Sequence, residues 1–134
     1  MEQHPEKLDR RTVLLGLAGA SALVASGTSS SMAQERKGVE VKVIRSSPSM
    51  VPGFAKVQLR EAVYEPGGTS GSPSAMKNAM ICECSMGSLE VTQDGKTFTA
   101  NTGHIWTCNV GTLEGASNKG TSRAVMRIFD LLPA

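Results

Sequence analysis

Histidine, excess charge of one sign and long apolar runs are all scarce in this chain. Of its 134 residues only two are histidines, His4 and His104, so a metal centre built from several imidazoles is excluded. The net charge is +2 at neutral pH and evenly scattered, which lacks the dense basic footprint of a nucleic-acid partner. Beyond residue 33 no segment is long and apolar enough to cross a bilayer, which takes roughly 20 apolar residues. No convincing helical periodicity is present, and no nucleophile and base stand at a diagnostic catalytic spacing. The three cysteines contain no C-x-x-C pair, and their odd number leaves one thiol over if a disulfide forms.

What is present begins with an address. Arg10 and Arg11 precede an apolar run from Val13 to Val24, and a small-residue stretch ends in Ser31-Met32-Ala33. A charged start, a short apolar middle and small residues at the end describe a cleavable export signal over residues 1–33. The arginine pair followed by Thr12-Val13-Leu14-Leu15 favours the twin-arginine route, which carries folded chains and suits a cofactor loaded before export. The expected location is the periplasm or the extracellular space, with no membrane attachment after cleavage. Residues 34–134 then suffice for one domain and not for two.

That domain reads as strands. Val39, Val41 and Val43 alternate with Glu40 and Lys42, a period of two. Ser46-Ser47-Pro48-Ser49 predicts a break. Lys56 to Tyr64 alternates again with Val57 and Leu59 inward, joined by Ala62 or Tyr64, and Glu65-Pro66-Gly67-Gly68 predicts its end. Residues 69–75 read as a loop. Met80–Met86 and Leu89–Gln93 follow, and Asp94-Gly95 is a strong hairpin signal leading into Lys96–Ala100. His104–Cys108 is a short strand. Thr121–Leu132 closes the chain, with Ala124, Met126, Ile128 and Asp130 on one face. Many short strands make a sandwich or barrel.

The glycines carry a more specific pattern. Gly68 and Gly87 fit the ends of G-x5-H-x-H-x3-E-x6-G, and Gly103, Gly111 and Asn118 fit G-x5-P-x-G-x2-H-x3-N. In these motifs the chain resembles the cupin superfamily, which implies an all-β jelly-roll barrel. The resemblance stops at the ligands. The two histidine positions of the first motif hold Ser74 and Met76, and its glutamate position holds Met80. In the second motif Asn109 replaces the proline and Glu114 the histidine. Iron, manganese or zinc cupin chemistry needs imidazoles and a carboxylate, so the usual metal-dependent enzyme is not expected.

Sulfur takes the vacated interior. Alternation puts Met80, Cys82, Cys84 and Met86 on one strand face, and the resemblance turns Met80 into the barrel. Trp106 and Cys108 share a face of their own strand, and Met76 sits just before the first of these runs. Three readings follow. Met76, Met80, Cys82 and Cys84 form a soft-metal site suited to Cu(I), or they are core filler and pocket lining, or the thiols serve redox chemistry in an oxidising compartment. The ligand pocket is expected to comprise Ser74, Met76, Met80, Cys82, Cys84, Trp106, Cys108 and Glu114. For any catalysis the candidates are Glu114 as acid or base, with Arg123, Arg127 or a bound ligand as its partner, and His104 near the barrel mouth. Cys108 with Cys82 or Cys84 is the better disulfide geometry than Cys82 with Cys84.

The sequence thus reads as an exported cupin-like barrel that binds a small molecule or metal ion. Copper and no cofactor stand equally open. The alternatives are a cupin enzyme using Glu114 and a non-catalytic interaction module, and association into a homodimer is expected.

Overall fold

Nine β-strands and no helix make up residues 36–134, the part of the chain that the computed structural model describes. The export signal read at residues 1–33, with Arg10, Arg11 and His4, lies outside the described residues. The strands are β1 (Lys37–Pro48), β2 (Phe54–Thr69), β3 (Ser74–Ala75), β4 (Ala79–Met86), β5 (Ser88–Gln93), β6 (Lys96–Asn101), β7 (Ile105–Cys108), β8 (Leu113–Ser117) and β9 (Ala124–Pro133). All pair antiparallel in one sheet of order β6-β5-β8-β2-β9-β4-β7, with β1 added to β2 and β3 to β8. The sheet curls into a nearly closed barrel, because β2 is long enough to pair β9 along its length and reach β8 at Thr69.

Alternation along each strand fills the interior. Leu89 and Val91 from β5, Cys82 and Cys84 from β4, and Ala124, Met126 and Ile128 from β9 are buried together. The Asp94-Gly95 hairpin forms as predicted, with both residues at positive φ (47° and 84°) between the paired Gln93 and Lys96. That is the twist a two-residue hairpin requires.

The motif positions that match have mechanical reasons. A Cβ on Gly87 would lie 2.6 Å from the Arg123 carbonyl oxygen, and one on Gly68 would lie 2.5 Å from that of Gly38. Both glycines let two backbones touch. Asn118 is 1% exposed and fully engaged. Its Nδ2 donates to the Tyr64 and Ser122 carbonyls at 3.0 and 2.8 Å, and its Oδ1 accepts from Gly120 N at 2.9 Å.

Several expectations are corrected. β1 runs on through Ser46, Ser47 and Pro48, paired with Gln58, Val57 and Lys56. It is an edge strand, where a proline removes no needed donor. β2 does not end at Glu65. It continues to Thr69 across a bulge in which pairing jumps from Val39↔Tyr64 to Lys37↔Thr69. On β2 the inward side chains are Arg60, Ala62 and Tyr64, so Val57 and Leu59 lie on the outer face, half-buried. A register shift between Cys84 and Met86 turns Met86 outward, 52% exposed, and takes it out of the interior sulfur row. β3 forms where the sequence suggested loop, β8 forms over residues to which no element was assigned, and the pairing of β8 with both β3 and β5 builds the wall that carries Glu114.

Candidate functional site

Three buried side chains from three strands converge on one point. Cys82 on β4, Cys108 at the end of β7 and Glu114 on β8 hold their ligand atoms within 4.8 Å of one another. Pairing explains the meeting. Met80 faces Cys108 and Cys82 faces Trp106 across β4 and β7, so Cys82 and Cys108 are diagonal neighbours on the inner face. The turn from Asn109 to Thr112 then returns the chain into β8. There Glu114 lies between Ser74 of β3 and Gln93 of β5 in register.

The polar contacts within this group are close. The Cys108 thiol donates to Glu114 Oε1 at 2.7 Å. Gln93 Nε2 lies 2.9 Å from the same oxygen, 2.8 Å from the Thr107 carbonyl and 3.2 Å from Cys108 Sγ. These donors engage one oxygen of a carboxyl group that is 8% exposed. Neither Arg123 nor Arg127 is its partner. They pair with Glu65 at 3.0 Å and Glu61 at 3.8 Å on the exterior. The hydrogen bond with Cys108, then burial, then the charge of Glu114 hold the Cys82 thiol well above its usual range, so Cys82 stays protonated. All three thiols are free.

Above this group a cavity of about 140 Å³ opens toward solvent. Ser74, Met76, Met80 and Glu114 line it, and they occupy the four positions at which the motif would place metal ligands. Cys82, Cys84, Trp106 and Cys108, expected in the same pocket, are not on its surface. Cys84 is also absent from the sulfur–carboxylate group. Its Sγ lies 3.4 and 3.5 Å from the carbonyls of Met86 and Gly87, at the bulge. Of the four residues read from the sequence as a soft-metal set, Met76 and Met80 line the cavity, Cys82 lies in the deeper group with Cys108 and Glu114, and Cys84 is in neither.

His104 does not join Glu114. It is exposed, its ring sits 5.4 Å from Phe98 and 5.9 Å from Trp106, and it does not line the cavity. Trp106 stands directly across from Cys82, and its buried Nε1 has no hydrogen-bond partner among the described residues.

The cavity wall also contains groups that sequence reasoning did not assign. Arg60 reaches inward and binds Asp130 through two bonds, Nε–Oδ2 at 2.6 Å and Nη2–Oδ1 at 2.9 Å. Asp130 is 1% exposed. Its hydrogen bond holds the Arg60 guanidinium above its ordinary value, against the effect of burial. Tyr64 lines the same wall, and burial pushes its hydroxyl up to about 12. The signal for Arg60 was present. Asp130 shares a strand face with Met126 and Ile128, and a buried carboxylate needs a cation. Gln93 follows Leu89 and Val91 at a spacing of two, which places it inside.

No protein-family model matches the chain, and no curated protein does. Solved structures do match. KdgF from a Halomonas species superposes with a TM-score of 0.57 at 18% identity, over 70% of this chain and 79% of that one. A cupin-2 domain from Rhodospirillum rubrum gives a TM-score of 0.60 at 12% identity, over 75% and 64%. An oxalate oxidase gives 0.56 at 19% identity, over 72% of this chain and 53% of that one, so the chain spans about half of that protein. This chain has the cupin fold.

The usual metal of a cupin is not matched by the residues at its place. A hydroxyl, two thioethers and one carboxylate line the cavity at the ligand positions, and no imidazole reaches it. That donor set is poor for iron, manganese or zinc. The cupin cavity of this chain borders a second donor set, deeper and richer in sulfur, and Glu114 belongs to both.

Proposed function

We propose that this chain is an exported, non-catalytic cupin barrel that takes up a thiophilic metal ion, Cu(I) first, at Cys82, Cys108 and Glu114. The observation that carries this reading is the convergence of two thiols and a carboxylate within 4.8 Å in a buried setting. Thiolates and thioethers favour Cu(I) over hard cations. Met80, buried and paired with Cys108 across the strands, supplies a thioether beside them. Binding replaces the thiol protons by the metal, which relieves the contact that holds Cys82 protonated. Folded export after cytoplasmic loading suits such a site, and the homodimer expected from the sequence is testable by sedimentation. Catalysis by Glu114 is less well supported. Its Oε1 is already engaged by Gln93 and Cys108, and His104 is not at the cavity.

The test is anaerobic Cu(I) titration of the reduced protein against a competing chelator, read by elemental analysis and by fluorescence of Trp106, the single tryptophan. One equivalent of copper with quenching is expected. Cys82→Ser and Cys108→Ser should each abolish it, and Cys84→Ser should retain it. Absence of copper uptake, or equal loss in Cys84→Ser, would refute the assignment.

A further inference from the structure

The cavity has walls of opposite chemistry. On the β2 side, Arg60 gives Nε and one Nη2 bond to Asp130. A guanidinium carries five N–H donors, and no acceptor among the described residues takes the others. Arg36 lines the same cavity, and its positive charge acts on the Tyr64 hydroxyl. On the β3–β8 side stand Ser74 and Glu114. Both hydrogen bonds to Glu114 end on Oε1, and Oε2 receives none among the described residues. Met76 and Met80 supply apolar surface beside this polar lining. Unused cationic donors on one wall and an unused carboxylate oxygen on the other ask for a ligand that is itself polarised, an anion at one end and a donor at the other.

We propose that this cavity binds a short carboxylic acid whose neighbouring carbon carries a hydroxyl or amino group. The carboxylate lies on Arg36 and the free edge of Arg60, and the donor lies on Glu114 Oε2. The space of about 140 Å³ equals roughly four or five waters at about 30 Å³ each, which admits about six non-hydrogen atoms. Charge-assisted hydrogen bonds at the Arg end hold the ligand. The donor at Glu114 discriminates between ligands of equal size, because a ligand lacking it leaves a buried acceptor unpaired. Nothing in this site requires the sulfur group to be loaded, so it is independent of the metal reading.

Calorimetric titration of the full, metal-free protein with lactate, alanine, propanoate and lactamide tests the proposal. Lactate or alanine should bind at millimolar concentration or below. Propanoate, which lacks the donor, should bind about tenfold more weakly, and lactamide, which lacks the charge, about tenfold to hundredfold more weakly. Arg36→Gln, a change at the exposed rim, should weaken the bound acid at least about tenfold without altering the unfolding midpoint. Glu114→Gln separates the two donors, since it retains an acceptor for a hydroxyl and removes the charge an ammonium needs. Lactate binding should survive it and alanine binding should not. Cys108→Ser should leave acid binding intact even if it abolishes copper uptake, so the two assignments fail separately. Equal binding of propanoate or lactamide, no effect of Arg36→Gln, or binding by none of the four acids and amides would overturn the proposal.

Discussion

The Arg60–Asp130 pair should respond asymmetrically to truncation, and the asymmetry can be worked from exposure. Asp130 is 1% exposed, whereas the Arg60 side chain keeps 26% of its surface. Arg60→Ala leaves a carboxylate fully buried with only Gln58 Nε2 at 3.4 Å for company. Breaking a buried pair in this way costs about 3–5 kcal/mol. Asp130→Ala leaves a guanidinium that can turn into the cavity and meet water, so its cost should fall to about 1–3 kcal/mol. Replacing both, as Arg60→Met with Asp130→Leu, removes both charges and fills the space. It should cost less than Arg60→Ala alone, because apolar replacement of a buried pair is often neutral. Urea unfolding of the reduced protein reads this directly. With a slope of about 1–3 kcal/mol per molar urea, Arg60→Ala lowers the midpoint by about 1–5 M, its cost being a large part of a domain's stability of about 5–15 kcal/mol. Equal costs for the two single variants, or additive costs in the double variant, would refute the reasoning.

Two further outcomes are expected away from the cavity. Gly87→Ala should destabilise by about 2–4 kcal/mol, since its φ is 73° and the new Cβ would strike the Arg123 carbonyl. A shift in melting temperature of only a degree or two would contradict that. The metal-free protein should also lose stability in alkali. Burial lifts Tyr64 to about 12 and Cys84 above its ordinary value, and the Cys108 hydrogen bond together with burial lifts Cys82. Groups raised in the folded state hold protons that the unfolded chain releases first. Stability is therefore complete below about pH 8.5, where the unfolded thiols remain protonated. It declines as pH rises further, by up to about 1.4 kcal/mol per pH unit for each such group, with Tyr64 adding its loss above about pH 10. A flat unfolding midpoint from pH 8 to pH 11, about two decades beyond the thiol range, would exclude this.

The barrel was legible because glycine and asparagine at fixed intervals have backbone reasons. Gly68, Gly87 and Asn118 hold strand crossings together whatever the interior contains, so they persist in a chain whose ligand positions are changed. The hairpin at Asp94-Gly95 was legible for the same local reason. The site was only half legible. Alternation placed Met80, Cys82 and Cys84 inside, but it assumes an unbroken strand, and the bulge after Cys84 both sends Met86 to solvent and draws the Cys84 thiol to backbone carbonyls. β8 escaped notice because Leu113-Glu114-Gly115-Ala116-Ser117 has no apolar period, and its residues are buried by pairing with β5 and β3. Arg60 escaped because Val57 and Leu59, on the opposite face of β2, are the more apolar choice for the interior. Only the carboxylate of Asp130 reverses that preference.

Glu114 joins the two proposed sites, and its position fixes the sign of the coupling between them. Oε1 faces the thiols, and Oε2 is left for the cavity. In the metal-free protein the Cys82 thiol is held protonated by its contact with Cys108, by burial and by the charge of Glu114. Uptake of Cu(I) removes two protons and adds one positive charge, so the buried group gains a net negative charge beside Glu114. Arg60 feels that change, because charge at Cys82 couples to its guanidinium, and part of its field is then drawn to the sulfur. An anionic ligand in the cavity should bind more weakly to the copper-loaded protein, and by reciprocity the same ligand should weaken copper binding by the same factor. A divalent ion at the same three donors adds no net charge and should leave the acid's affinity nearly unchanged. Copper-loaded and zinc-loaded protein, titrated with one acid in one buffer, would separate an effect of charge from an effect of shape. Equal weakening by both ions would mean that the metal blocks the cavity itself, and that Glu114 does not keep its second oxygen free.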